Sequence, residues 1–342
     1  MPLIYRRVPV RKGDFSPRVP VLLQKILSAR NVFTDAELTL DLRHLHPPEQ
    51  LLGLETAVQL LHEELMRQGR VLIIAGSDSG GGAGIQADIK TVTLLGGHAM
   101  TAVTAITAQN TLGVTGVHAI PAEMVIAQID AVVNDIGVDA IKIGMLHSPE
   151  VVGVVAQALD DYRIAHVVLD PVMVATSGDR LIAQETVQIL VRELFPRVTV
   201  VTPNLDEAQL LLGQAIANAQ ALDAAAQGLL AMGARAVLLK GGHLASDEVV
   251  DVLVQAQGPT RRLASARIPS RNVHGTGCTL SSAIAAHLAL GHGLEEAVVL
   301  ARTFILSAIE QGAQVQTGQG HGPLNHGFCP LAMRRLAAAD QA

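Results

Sequence analysis

Tryptophan is absent from the 342 residues, and aromatic side chains make up 2%. A nucleic-acid reader that stacks bases on rings has little to work with in such a chain. Cysteine occurs twice, at Cys278 and Cys329. Two are too few for a disulfide framework and suit a reducing compartment, so a cytoplasmic protein is expected. No apolar run approaches the roughly 18 residues of a membrane span, so none is expected. The early arginines are not followed by an apolar h-region, so no secretory signal is expected.

What is present narrows the class further. Hydrophobic residues make up 49% of the chain, which excludes general disorder. The length suits one large α/β domain with an appendage. The net charge of -6 is unevenly spread: residues 1–70 carry 10 Lys/Arg against 8 Asp/Glu, and the remainder 15 against 23. Within residues 1–30 seven basic side chains face only Asp14. That arm allows contact with DNA phosphate, although a solvated basic tail explains it as well.

Along the chain, residues 1–70 read as a small helical module. Pro2, Pro9, Pro17 and Pro20 break its start. Helices are expected over 21–29, 36–42 and 49–67, the last with Leu51, Leu54, Val58, Leu61 and Leu65 on one face. From Val71 the pattern becomes strand, loop, helix, repeated. Strands are expected at 71–75, 101–106, 140–143, 167–169, 198–201, 236–239 and 249–254. A helical stripe runs through Ile85, Ile89, Val92 and Leu95. Further helices are expected over 121–135, 149–160, 183–193, 205–212, 223–232, 276–290 and 294–311. Such alternation implies a mostly parallel sheet covered on both faces, with ligands at the carboxyl ends of its strands. The organisation expected is a 1–70 module, a 71–328 domain and a 329–342 tail.

Several polar groups sit at those strand ends. Gly76–Gly84 is a Gly-rich loop without the Lys-Ser/Thr of a phosphate-binding Walker loop. Gly82-Ala83-Gly84-Ile85-Gln86-Ala87 fits a dinucleotide fingerprint, but the next strand ends in Ala108-Gln109-Asn110 with no carboxylate for a ribose. A small substrate resting on the backbone suits the loop better. Asp88 follows one turn into the helix, where it reads equally as a solvated first-turn acid. The Gln109 amide both donates and accepts, as reading a ring with an amine and a ring nitrogen requires; an ordinary turn explains it equally. Asp170 ends a strand. Asn204 suits an N-cap, and with Glu207 three residues on it also suits a hydrated Mg²⁺. Lys240, before Gly241-Gly242, suits a phosphate, against a plain surface lysine.

The stretch from Asn272 to Ser281 draws these together. Gly275-Thr276-Gly277 leads into a helix whose free N–H groups and dipole suit an anion. Cys278 falls in the first turn, where the same field is expected to lower a thiol pKa. Tight helix packing is the plainer explanation of the glycines. A Gly loop, an amide, an acid, Asn-x-x-Glu, Lys-Gly-Gly and an anion hole at the ends of one sheet suit phosphoryl transfer to a small molecule.

Residues 71 to about 328 resemble the hydroxymethylpyrimidine/phosphomethylpyrimidine kinases of thiamine biosynthesis, which have the ribokinase-like fold. The matching runs include Gly81–Asp88, Thr107-Ala108-Gln109-Asn110-Thr111, Lys142-Ile143-Gly144-Met145-Leu146, Asp170-Pro171-Val172-Met173, Lys240-Gly241-Gly242-His243, His274–Thr279 and Gly320–His326. Gly80 stands where that family commonly has Ser. The resemblance implies a three-layer α/β/α domain with a mostly parallel central sheet, preceded by the helical module. It implies that Gly76, Asp88, Gln109, Met145 and Val172 line a pyrimidine pocket. Asp170, Asn204 and Lys240 would serve ATP, and Glu207 with Asn204 would serve Mg²⁺. Gly275, Thr276 and Gly277 would form the anion hole, with Cys278 as base or positioning group. It also implies a homodimer.

Residues 1–70 resemble the N-terminal lead of single-strand-specific DNA exonucleases of the Asp-His-His phosphoesterase class. The shared features are Arg6-Arg7-Val8, Pro20-Val21-Leu22-Leu23, Ala29-Arg30-Asn31-Val32 and Pro47–Leu54. No Asp-His-His follows anywhere in the chain, so a functional fusion and a misjoined frame both stay open. The expected activity is ATP- and Mg²⁺-dependent phosphorylation of 4-amino-5-hydroxymethyl-2-methylpyrimidine and of its monophosphate. Pyridoxal kinase is the enzymatic rival. A pyrimidine-binding sensor and a DNA-associated fusion protein are the non-enzymatic ones.

Overall fold

The apolar run after Gly69 forms strand β1 (Arg70–Asp78), and the sheet grows outward from it in both directions. The structure is a computed structural model that describes residues 69–173, 182–244 and 246–330, together with Asp14, Gln24, Leu27 and Thr34. The expected helices at 36–42 and 49–67 and the end of the tail lie outside the described residues. Gln24 and Leu27, within the expected 21–29 helix, are helical. The chain divides into two compact units, Met1–His62 and Glu63–Ala342.

Helix α1 (Gly84–Leu94) follows β1 and leads to β2 (His98–Asn110) and β3 (Gly113–Ala119). Then come α2 (Ala122–Asp135), β4 (Ala140–Ile143), α3 (Pro149–Tyr162), β5 (His166–Leu169), α4 (Gln184–Leu194) and β6 (Val200–Val201). After these run α5 (Leu205–Leu212), α6 (Leu222–Leu230), β7 (Ala236–Leu239), β8 (Glu248–Gln255) and β9 (Arg261–Ala266). Helices α7 (Thr276–Ala289) and α8 (Leu294–Gly312) close the domain.

The sheet order is β3-β2-β1-β4-β5-β6-β7-β8-β9. Pairing is parallel from β2 through β1, β4, β5, β6 and β7, and antiparallel for β2–β3, β7–β8 and β8–β9. The chain leaves β1 for β2 on one side and returns to β4 on the other. Parallel sheets place a crevice at the carboxyl ends where the order reverses in this way.

The two-residue period of a strand divides the core into two layers. Leu72 and Ile74 pack with α2 to α6, whereas Val71, Ile73 and Ala75 pack with α1, α7 and α8. A three-layer α/β/α domain results, as expected. Helix α7 is buried without a break from Thr279 to Ala289, so it is a core helix rather than an amphipathic cover.

Two edge strands were not anticipated. Gly113–Ala119 and Arg261–Ala266 are mostly exposed and carry no apolar run. Edge strands need only one partner and can be short and polar, so hydrophobic pattern does not reveal them. The expected strand at 198–201 shrinks to Val200–Val201, and the one at 101–106 lengthens to His98–Asn110.

Candidate active site

The carboxyl ends of β1, β2 and β4 to β7, with the start of α7, enclose a cleft of about 680 Å³. Gly76, Thr107, Gln109, Met145 and Val172 line it near β1, β2, β4 and β5, and Asn204, Glu207, Lys240 and Gly242 near β6 and β7. Asp170, Gly275, Thr276, Gly277 and Cys278 also line it. Sheet order therefore brings together groups as far apart in sequence as Gly76 and Cys278.

The glycine loop is held shut by one acid. Asp78 accepts from the N–H groups of Gly80 (2.8 Å), Gly82 (3.0 Å) and Ala83 (2.8 Å). Burial pushes its carboxyl up, but His274 and these N–H groups outweigh that and hold it below the usual value. His274 Nε2 lies 3.2 Å from Asp78 Oδ2 and 3.3 Å from the Gln109 amide.

Helix α7 starts at a point only glycine allows. Gly275 has φ 84°, and a side chain there would meet Gly82 O at 1.9 Å. The helix N-terminus thus rests directly on the glycine loop of β1. A Cβ at Gly277 would lie 3.1 Å from Lys240 Nζ and 3.3 Å from Asp170 Oδ2. The helix dipole, a lysine and an acid therefore converge on one spot.

Lys240 Nζ bonds Asp170 Oδ1 at 2.9 Å, and Thr202 Oγ1 donates to the same oxygen at 3.2 Å. Burial pulls the Lys240 amine down, but Asp170 and Glu207 more than offset this, so it stays charged. Burial raises the Glu207 carboxyl to about 7, against the pull of Lys240.

Asn204 and Glu207 form a reciprocal cap on α5: Asn204 Oδ1 accepts from Glu207 N at 2.9 Å, and Glu207 Oε2 from Asn204 N at 2.8 Å. The Glu207 carboxylate also accepts from the Met173 backbone. The Glu207 carboxyl is already engaged by two backbone N–H groups, so with Asn204 it would meet a Mg²⁺ ion through the ion's water shell rather than as a direct ligand. Among the described residues, no group of three or more His, Cys, Asp or Glu side chains is placed to hold a metal ion.

Residues 78–325 match the family described as phosphomethylpyrimidine kinase. The chain belongs to this family. It is 50% identical to the hydroxymethylpyrimidine/phosphomethylpyrimidine kinase of Rhizobium meliloti, over 75% of this chain and 96% of that one. It is 48% identical to the thiamine biosynthesis bifunctional protein of Geobacter sulfurreducens, over 82% of this chain. The match spans only 57% of that longer relative. Among solved structures, the phosphomethylpyrimidine kinase of Clostridium difficile superposes with a TM-score of 0.63 at 41% identity, covering 70% of this chain and 99% of that one. Bacillus subtilis pyridoxal kinase, in an ADP complex, gives 0.71 at 36%, covering 76% and 98%. The fold is thus the ribokinase-like one, and residues 1–77 fall outside the family match. The exonuclease resemblance of residues 1–70 gains no support from these relatives.

Two expectations about this phosphomethylpyrimidine kinase family member need correction. Asp88, expected to line the pyrimidine pocket, is fully buried on α1 behind the cleft wall. It accepts from Lys142 Nζ at 2.8 Å and from Ser282 Oγ at 2.7 Å. Burial raises its carboxyl while Lys142 opposes the rise. Cys278 was expected to have a lowered pKa. Burial instead pushes the thiol up to about 12, with Asp88 and Asp170 adding to the rise and Lys142 opposing it. The helix field is real, but the desolvation cost of a thiolate exceeds it here.

Lys142, Asp78 and His274 also line the cleft, although sequence reasoning gave them no role. The signal for Lys142 was present: a lone lysine inside the apolar strand Ala140–Ile143 must be paired when buried. Burial pulls its amine down, but Asp88, Cys278 and Asp170 more than compensate and hold it above the usual value.

Proposed function

We propose that the chain transfers the terminal phosphoryl group of ATP to 4-amino-5-hydroxymethyl-2-methylpyrimidine, and then to its monophosphate, in thiamine biosynthesis. The family match over residues 78–325 and the kinase relatives support this activity. Solved relatives in complex with ADP and with AMP-PCP support ATP as the donor. One observation carries the reading for this chain: the α7 N-terminus, Lys240 and Asp170 meet at Gly277, inside a cleft that also holds Gln109.

In this proposal Gly76, Gln109, Met145 and Val172 hold the ring. Asp170, Asn204 and Lys240 face the nucleotide, with Lys240 and the N–H groups of Gly275–Gly277 stabilising charge on the transferred group. Asn204 and Glu207 would serve a hydrated Mg²⁺, which when bound would supply charge neutralisation at the phosphates. Cys278, in the first turn of α7 on the cleft lining, orients the hydroxymethyl group, and desolvation of its thiol favours the protonated form. Asp88 acts behind the wall by pairing Lys142.

Pyridoxal kinase is the second reading, favoured by the overlap with Bacillus subtilis pyridoxal kinase. A phosphotransfer assay comparing the pyrimidine, its monophosphate and pyridoxal decides between them. Turnover of pyridoxal alone overturns the proposal. We also propose a cytoplasmic homodimer. Exposed Ile106 on β2 and Met124 on α2 support a partner surface, and sedimentation as a monomer refutes the dimer. DNA contact by residues 1–30 has only their basic charge in its favour.

A further inference from the structure

We infer that Asp78 and His274 are positioning residues that set substrate specificity: they turn the Gln109 amide so that its oxygen faces His274 and its nitrogen faces Thr107. This polarity accepts an amino group beside the hydroxymethyl-bearing carbon and turns away a carbonyl there. The inference rests on the pyrimidine-kinase reading above.

Asp78 sets the polarity. Three backbone N–H groups and His274 converge on its carboxylate, which stays ionised and only accepts. His274 Nε2, 3.2 Å from Asp78 Oδ2, must therefore carry its proton. The same Nε2 lies 3.3 Å from Gln109 Nε2. Two donors would then face each other. Amide oxygen and nitrogen have nearly the same shape, so the hydrogen bonds decide between them.

Turning the amide over removes the conflict. Oε1 then shares the His274 Nε2 proton with Asp78 Oδ2. At the other end, Thr107 Oγ1 lies 3.2 Å from the amide and donates to Ser77 O at 2.9 Å. Its lone pairs are left to accept a Gln109 N–H. Each of these protons then has an acceptor. Gly82 makes the arrangement possible, because a Cβ there would meet His274 Cδ2 at 2.6 Å.

The consequence reaches the reacting atom. In the pyrimidine, the carbon bearing the amino group lies between a ring nitrogen and the carbon bearing the hydroxymethyl. With Oε1 accepting from the amino group and Nε2 donating to the ring nitrogen, the hydroxymethyl projects past His274. There the chain runs straight into Gly275–Cys278. Pyridoxal carries an aldehyde beside its hydroxymethyl carbon, and that acceptor would face Oε1 with no proton between them.

The test uses two nearly isosteric changes. His274→Gln keeps an NH₂ that can donate to both Asp78 and Gln109, and His274→Leu keeps the volume alone. For the pyrimidine, kcat/KM should fall about 10- to 100-fold in His274→Leu, the cost of a mispaired polar contact. The pyrimidine-to-pyridoxal ratio should fall with it. His274→Gln should restore most of both, and ADP affinity by calorimetry should hold in each variant. Equal losses in the two variants, or an unchanged ratio in His274→Leu, overturn the inference. If His274→Leu does not fold, NMR of the unmutated protein decides. The Gln109 side-chain N–H protons should show Overhauser contacts to Thr107 and not to His274, and the reverse pattern refutes it. Absence of pyrimidine turnover in the unmutated enzyme counts instead against the underlying kinase reading.

Discussion

Replacing Lys142 by Met tests how the wall of the cleft is held. Lys142 Nζ and Asp88 Oδ2 are 2.8 Å apart, and both side chains are 0% exposed. Met keeps the length and removes the charge. Asp88 would keep only the Ser282 hydroxyl, 2.7 Å away. Breaking one side of a buried pair typically costs about 3–5 kcal/mol. For a domain of this size that lowers the melting point on the order of 10 °C. Protonation of Asp88 limits the loss, which fixes a sign. Burial already raises this carboxyl, and without Lys142 it rises further. A folded-state pKa above the unfolded one means that the folded chain holds the extra proton between the two values. Stability therefore falls as pH rises through that window. The window opens near the unfolded carboxyl value of about 3.9. Urea unfolding should show a smaller deficit in Lys142→Met at about pH 5 than at about pH 8. Adding Asp88→Leu removes the stranded acid and should recover most of the loss. Equal deficits at the two pH values, or a double variant no better than the single, would refute this account.

Four further outcomes follow from the same geometry. Cys278→Ala should keep pyrimidine and ATP binding and lose on the order of 10²-fold in alcohol phosphorylation, the cost of a misplaced reacting group, so full turnover would reduce Cys278 to packing. Because burial pushes the Cys278 thiol up to about 12 and Cys329 is exposed, iodoacetamide at neutral pH should alkylate Cys329 first. Peptide mass spectrometry reads the order, and faster labelling at Cys278 contradicts the shift. Gly275→Ala should abolish turnover, because its Cβ would fall 1.9 Å from Gly82 O at a φ of 84°; backbone strain of this kind costs about 1–3 kcal/mol before the clash is counted. A chain beginning near Gln68 should phosphorylate the pyrimidine at close to the full-length rate, since β1 starts at Arg70; a folded but inactive product would show that residues 1–67 complete the site.

Local pattern carried much of this protein. The apolar run at Val71–Ala75 could only be a buried strand, and the helix at 205–212 was bounded by its own Asn204 cap and the following glycine. Alternation of such runs with helical stripes determined a parallel sheet, and with it the side of the sheet where ligands bind. The glycines before Cys278 marked the helix start, because few other residues tolerate that backbone. Charge and depth were decided elsewhere. Asp88 looks like a first-turn acid, yet α7 packs against α1 and supplies Ser282 from 194 positions away. The Cys278 thiol sits in a favourable helix field, yet its desolvation depends on everything packed around it. Lys142 stood out as a lone charge in a strand, but its partner came from another helix. His274 and Asp78, 196 positions apart, meet only because Gly275 rests on the loop of β1. Periodicity and backbone tolerance are properties of neighbouring residues, so the sequence determines them alone. Burial and pairing of charge depend on distant parts of the chain, so only the tertiary structure decides them.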